Sequence, residues 1–115
     1  MMTIQQKMYE TTVKAVGGRN GYIESSFPEL RLDIDTPKEM GGAGGAGTNP
    51  EQLFAAGYSA CFDSALNMVA RMQRVKHEGT EVTATVHFGK VEDAHEQCPY
   101  SRATRGNIEV KLNVL

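Results

Sequence analysis

The chain has 115 residues and a mass of 12.6 kDa, which predicts a single domain over residues 1–115. Twelve Lys and Arg residues against fourteen Asp and Glu residues give a formal charge of −2, so we expect no binding to nucleic acid. The longest stretches without a charged residue have eleven residues, too few for a membrane span of about 20. The N-terminal residues lack the apolar segment of a signal peptide, which predicts a cytoplasmic protein without a permanent structural disulfide.

The N-terminal third of the sequence predicts three strands. Residues 8–16 and 22–27 are separated by glycines and Asn20, which favour a tight turn and place Arg19 at a hairpin tip. Residues 30–34 alternate between apolar and charged side chains, as in a strand with one solvated face, and Pro37 ends this pattern.

Five of the twelve glycines lie between Gly41 and Gly47. Such a run is typical of a flexible linker, but it also suits a loop pressed against another backbone or a ligand. The run is followed by Thr48-Asn49-Pro50 rather than by the Gly-Lys-Ser/Thr of a phosphate-binding loop. Phosphate binding by this loop is therefore not predicted.

A long helix is predicted from Pro50 to about Arg74, with Thr48 or Asn49 as the N-cap and Glu51 in the first turn. Asp63 is the only charged residue between Glu51 and Arg71, which predicts a helix that is buried on most sides. A chain of this size cannot cover such a helix alone, so we infer a second copy of the chain. This copy would pack across a stripe of small residues, Ala56, Gly57, Ala60 and Ser64.

Apolar residues alternate with polar ones over residues 82–88 and 108–114, which predicts two further strands that cover the helix. With one long helix and several strands of this kind, the predicted fold class is α+β.

The two cysteines are the main candidates for chemistry. Cys61 lies within the predicted helix, where a cysteine is most often an inert apolar residue, and Cys98 lies in a polar loop. The alternative is a reactive thiol with a resolving partner. A metal site would need Cys61 or Cys98 together with His87 or His95, but the sequence has no CxxC or HExxH motif, so no metal site is predicted. The sequence also lacks the GxSxG motif of a serine hydrolase.

Three segments resemble the organic hydroperoxide resistance proteins, the Ohr branch of the OsmC/Ohr superfamily. They are YETTVKAVGGRNG at residues 9–21, GGAGGAGTNPEQLFAAGYSACF at residues 41–62, and CPYSRATRGNIEV at residues 98–110. The resemblance implies an intertwined α+β homodimer, with antiparallel sheets wrapped around long central helices. It also implies a peroxidase that reduces alkyl and fatty-acid hydroperoxides, is recycled by a dithiol such as a lipoylated protein, and needs no cofactor.

The same resemblance assigns roles to four residues. Cys61 matches the peroxidatic cysteine and Cys98 the resolving cysteine, while Arg19 and Glu51 match the charged pair that activates the nucleophile. These roles make chemical sense, because a guanidinium favours a thiolate and a carboxylate can orient the guanidinium. Apart from the resemblance, Arg19 is typical of a solvated turn residue and Glu51 of a partner of the helix dipole.

The sequence departs from the family in one place. Relatives carry a further strand and a helix, about two dozen residues together, between a strand like residues 80–88 and the Cys98 motif, whereas here only residues 89–97 intervene. Such a deletion would remove the helix that delivers Cys98. The alternative function is therefore a non-catalytic relative that senses oxidants or binds lipid-like ligands.

Overall fold

The structure is a computed structural model that describes residues 6–27, 29–89 and 108–115. The chain divides into two compact units, Met1–Asn49 and Pro50–Leu115. The first contains a three-stranded antiparallel sheet, and the second contains a long helix and an antiparallel strand pair. The fold class is therefore α+β, as the sequence predicts.

The sheet of the first unit consists of β1 (Lys14–Val16), β2 (Tyr22–Ser25) and β3 (Leu30–Asp33), in that spatial order. Ile23 of β2 lies opposite Ala15 on one side and Leu32 on the other. The first strand is shorter than predicted, because among the described residues no strand pairs with residues 8–13. An alternating pattern becomes a strand only where a neighbouring strand accepts its hydrogen bonds.

Charged side chains bridge the three strands on one exposed face. The Glu24 carboxylate lies 2.9 Å from Lys14 Nζ and 2.9 Å from Arg31 Nη1. The hydrogen bond with Lys14 lowers the pKa of Glu24 and raises the pKa of Lys14. Because these side chains are exposed, water screens the pair and its contribution to stability is small.

The glycine-rich segment is a loop folded against its own unit, rather than a free linker. The backbone N–H groups of Gly42 and Gly44 donate to the carbonyls of Pro37 and Thr36, at 3.0 and 3.1 Å. At Gly47 the backbone N–H donates to the Asp35 carboxylate at 2.7 Å, and a Cβ there would lie 2.4 Å from the same carboxylate. Glycine is therefore required at this close approach.

The second unit consists of helix α1 (Pro50–Met72) and strands β4 (Thr80–Val86) and β5 (Ile108–Val114). Pro50 is the first helical residue, as predicted from its fixed φ. The two strands pair along their full length, from Thr80 opposite Val114 to Val86 opposite Ile108. Helix α1 packs on β4. No helix within the described ranges is long and apolar enough to cross a membrane.

Helix α1 is far more exposed in the single chain than the sequence predicts. Only Glu51 and Ala70 are buried along its length. Large apolar side chains remain at least one-third exposed, namely Tyr58, Phe62, Met68, Val69 and Met72. The apolar composition of the helix therefore exceeds what β4 covers.

The C-terminal end of α1 forms a Schellman motif. The backbone N–H of Val75 donates to the carbonyl of Ala70 at 3.0 Å, and that of Arg74 to the carbonyl of Arg71 at 3.1 Å. The residue in the left-handed conformation is Arg74, with φ of 56°, where glycine is the usual residue. Arginine therefore carries a steric cost at this position.

We expect the substitution Arg74→Gly to stabilise the protein by about 1 kcal/mol, because glycine has no Cβ to clash in the left-handed region. In a chain of this length this corresponds to a rise of about 4 °C in Tm, measurable by thermal unfolding. Arg71→Gly is the matched control, since it places glycine inside the helix and should destabilise by about 1 kcal/mol. A lower Tm for Arg74→Gly would contradict the conformational argument.

Candidate functional site

Cys61 lies in the middle of α1 with an exposed, free thiol. Three aromatic side chains form a ladder along the same helix, with ring centroids 6.0 Å apart between Phe54 and Tyr58 and 6.1 Å apart between Tyr58 and Phe62. The thiol is therefore accessible in the single chain and has an aromatic surface beside it. Such a setting suits a reactive thiol with an apolar substrate.

A polar network fixes the opposite side of the helix to β4. The Thr80 hydroxyl donates to Asp63 Oδ1 at 2.6 Å, and the Asn67 amide donates to both the Thr80 hydroxyl and the Asp63 carbonyl. A helix turns about 100° per residue, so Asp63 and Cys61 point about 200° apart around the axis. The network therefore holds Cys61 on the side of α1 that faces away from β4.

Sequence reasoning did not identify Asp63, Asn67 and Thr80 as residues that position the site. The available signal was Asp63, a lone charge in an apolar helix segment. Its partner Thr80 lies 17 residues away in sequence, in an alternating strand where a threonine has no distinguishing feature.

Replacing Thr80 by Val is expected to destabilise the protein by about 1–3 kcal/mol. The change keeps the shape of the side chain but removes a hydrogen bond to a carboxylate and the acceptor of the Asn67 amide. Urea unfolding measures the difference. Thr83→Val is the control, because Thr83 is exposed on the same strand, and its effect should stay within about 0.5 kcal/mol. Equal effects of the two changes would show that the network contributes nothing specific.

Arg19 lies at the predicted hairpin tip, in a short 3-10 helix (Gly18–Asn20) between β1 and β2. The tip is fastened to Thr36, whose hydroxyl lies 3.2 Å from the Arg19 carbonyl and 2.9 Å from Asn20 Oδ1. Gly21 directly follows this short helix, and only glycine fits there, because a Cβ would lie 1.7 Å from the Val16 carbonyl oxygen. Arg19 is half-buried and has at least one further interaction, and its backbone carbonyl is held by Thr36.

Glu51 lies in the first turn of α1 and is 9% exposed, with at least one partner of its own. Ten residues separate it from Cys61 on the same helix, which corresponds to about 15 Å along the axis. A single helix therefore does not bring Glu51 and Cys61 together. Arg19 belongs to the first unit, and Cys98 lies outside the described residues.

Potential metal ligands do not cluster in the described part of the chain, where no group of three or more His, Cys, Asp or Glu side chains is placed to hold an ion. His87 Nε2 lies 3.4 Å from the Glu109 carboxylate, across the β4–β5 pair. His95, like Cys98, lies outside the described residues.

Comparison with known proteins identifies relatives over nearly the whole chain. The family model of OsmC-like proteins matches residues 42–93. The organic hydroperoxide resistance protein OhrA of Bacillus subtilis (strain 168) is 44% identical, and the match covers 96% of this chain and 99% of that protein. The crystal structure of an organic hydroperoxide resistance protein from Legionella pneumophila superposes with a TM-score of 0.70 at 42% identity, covering 89% of this chain and 93% of that chain.

The comparisons also show that the chain is internally shorter than its relatives. The organic hydroperoxide resistance protein-like 2 of Staphylococcus epidermidis (strain ATCC 12228 / FDA PCI 1200) is 42% identical over 135 aligned positions. These cover 95% of that protein and 93% of this chain; 93% of 115 is about 107 residues, and 135 − 107 leaves about 28 positions without a counterpart. The size of this difference agrees with the deletion inferred from the sequence.

Proposed function

This chain belongs to the OsmC/Ohr family, and from that membership we propose that it is a thiol-dependent peroxidase that reduces organic hydroperoxides to alcohols. The observation that carries the proposal is the free, exposed thiol of Cys61, which lies beside an aromatic ladder in a chain about 40% identical to organic hydroperoxide resistance proteins. The exposed thiol alone would not support the proposal, since a lone cysteine is most often inert; the similarity to the relatives is needed as well.

The proposed reaction begins with attack of the Cys61 thiolate on the terminal oxygen of the hydroperoxide. The O–O bond breaks, the alkoxide takes up a proton and leaves as an alcohol, and Cys61 becomes a sulfenic acid. The Cys98 thiol then attacks the sulfur, which releases water and forms a disulfide. A dithiol, for which we propose a lipoylated protein in the cytoplasm, reduces this disulfide and becomes oxidised itself.

Arg19 and Glu51 are proposed to activate Cys61. A guanidinium close to the thiol stabilises the thiolate, and a carboxylate paired with that guanidinium fixes its orientation. The fastening of the Arg19 turn to Thr36 supports this role, because a fixed backbone limits the positions that the guanidinium can reach.

We further propose that the active form is a homodimer. The exposed apolar side chains of α1 support this proposal. A second support is the stripe of small residues on the same helix, which are all exposed in the single chain: Ala56, Gly57, Ala60 and Ser64. In an antiparallel pair of such helices, Glu51 of one chain would approach Cys61 of the other.

The substrate is proposed to be a small hydrophobic hydroperoxide rather than hydrogen peroxide. Tyr58 and Phe62 lie within one helical turn of Cys61 in sequence and are each 38% exposed, so they offer an apolar surface for an alkyl group. In the proposed homodimer, the second chain would supply the rest of this apolar surface.

A steady-state assay with tert-butyl hydroperoxide and dihydrolipoamide tests the proposed function. A peroxidase consumes many equivalents of hydroperoxide per chain, and its rate with hydrogen peroxide should be much lower. The alternative is a sensor or ligand-binding relative, which the shortening would favour if, as the sequence analysis predicts, it removes the segment that precedes Cys98. Consumption of a single equivalent per chain would support that alternative and contradict the peroxidase.

A further inference from the structure

An open depression of about 630 Å³ lies at the C-terminal end of α1, and neither Glu51 nor Cys61 of that helix lines it. It concentrates positive charge in a chain whose formal charge is −2. Its walls are Asn67 and Val75 together with four basic residues, Arg71, Arg74, Lys76 and His77.

Within the described ranges, no carboxylate forms an ion pair with Arg71, Arg74 or Lys76. All three side chains are exposed, so their charges are available to a ligand. Clustering three cations without a counterion is unfavourable, and a bound anion would offset that repulsion.

His77 provides a second, independent observation. Its Nδ1 atom is buried and has no hydrogen-bond partner among the described residues. A buried polar atom without a partner is costly, and such atoms commonly mark the place of a missing ligand or water. Here the ring lines the same depression as the three cations.

The backbone at Arg74 is a third observation. This arginine occupies the left-handed position of the Schellman motif, where glycine would be more stable. Non-glycine residues held in the left-handed region are found preferentially at functional sites.

We propose that Arg71, Arg74, Lys76 and His77 form a binding site for an oxyanion, a carboxylate or phosphate group. Arginine presents paired N–H donors that match the oxygens of such a group, the Lys76 ammonium adds further donors, and His77 forms part of the wall. The exposed apolar side chain of Val75 lies in the same wall, so the site admits the anion either free or at the end of an apolar chain. This site is distinct from Cys61 and does not depend on the proposed peroxidase activity.

Titration of the reduced full-length chain with inorganic phosphate and with decanoate, followed by amide NMR shifts, tests the proposal. We expect binding with a Kd on the order of 1 mM that weakens as salt is added, with shifts at His77 and its neighbours. Phosphate binding identifies a site for free anions, whereas binding of decanoate alone, with no binding of decanol, identifies a site for the head group of an amphiphile.

Two variants separate the charge of Arg74 from its effect on the fold. Arg74→Gly and Arg74→Gln both remove the guanidinium and should each weaken binding about tenfold, although only the first relieves the backbone strain. Lys111→Gln is the control, because it removes one exposed positive charge from β5, outside the depression, and should leave the Kd within about twofold. The proposal is overturned if neither anion binds, or if the Arg74 variants bind as tightly as the parent.

Discussion

Replacement of Cys61 by Ser is expected to abolish hydroperoxide turnover, because the sulfur is the atom that accepts the oxygen and a serine hydroxyl is not ionised at pH 7. The rate should fall to that of the uncatalysed reaction, at least about 10³-fold below the parent. The tert-butyl hydroperoxide assay measures it. Ser59→Ala is the matched control, since Ser59 lies two residues away on the same helix, where its hydroxyl donates to the Ala56 carbonyl, and this variant should retain activity. Normal activity of Cys61→Ser would contradict the peroxidase proposal.

The companion change Cys98→Ser separates the two cysteines by role. Cys61 should still react once, and after one equivalent of hydroperoxide its mass should rise by about 16 Da, whereas the parent should lose about 2 Da on forming the disulfide. Further hydroperoxide should over-oxidise the variant, so its activity should decay over successive turnovers. A parent that also gains about 16 Da would mean that Cys98 does not reach Cys61 in this shortened chain.

Replacement of Arg19 by Ala is expected to lower kcat/KM by about 10²-fold, the typical effect of removing one charged group that stabilises a reacting anion. The same change should slow alkylation of Cys61 by iodoacetamide at pH 7, since less of the thiol would be ionised. Arg31→Ala is the control, because Arg31 lies in the same unit, is exposed and pairs with Glu24. Both rates should be close to those of the parent in that control.

The alkylation measurement distinguishes activation from a structural role. If Arg19→Ala lowered only thermal stability and left the alkylation rate of the folded protein unchanged, Arg19 would serve the hairpin tip alone. Arg19→Lys provides a further comparison, because it retains the charge but not the paired donors, and should recover part of the activity.

Local signals in the sequence were sufficient for several elements. Thr48-Asn49-Pro50 marked the start of α1 at Pro50, and the alternation over residues 108–114 matched β5. Both features depend only on residues that are adjacent in sequence. The helix start follows from the fixed φ of Pro50, and the strand follows from the alternation of apolar and polar residues. The hairpin tip that holds Arg19 was predicted for the same reason.

The remaining features depend on partners that are distant in the chain or belong to another one. Residues 8–13 are predicted as part of a strand but pair with no strand in the described part of the chain, and the apolar side of α1 lacks the cover that its composition predicts. The glycine-rich loop folds back through hydrogen bonds to Thr36 and Pro37, which no local pattern specifies. For the candidate site, Cys61, Arg19 and Glu51 came from a family resemblance, and their assembly into one site stays a prediction.

The full-length pairing of β4 with β5 bears on how this chain tolerates its shortening. The register runs from Thr80 opposite Val114 to Val86 opposite Ile108, and it is extended by backbone hydrogen bonds between Glu78 and Leu115 and between Leu115 and Gly79. The strand pairing thus fixes the positions at which the connection leaves β4, at Val86, and enters β5, at Ile108. Loop-closure entropy grows only with the logarithm of length, so even doubling this connection changes the free energy of closure by about 0.6 kcal/mol. A change in the number of residues between β4 and β5 would therefore cost this hairpin little in closure entropy.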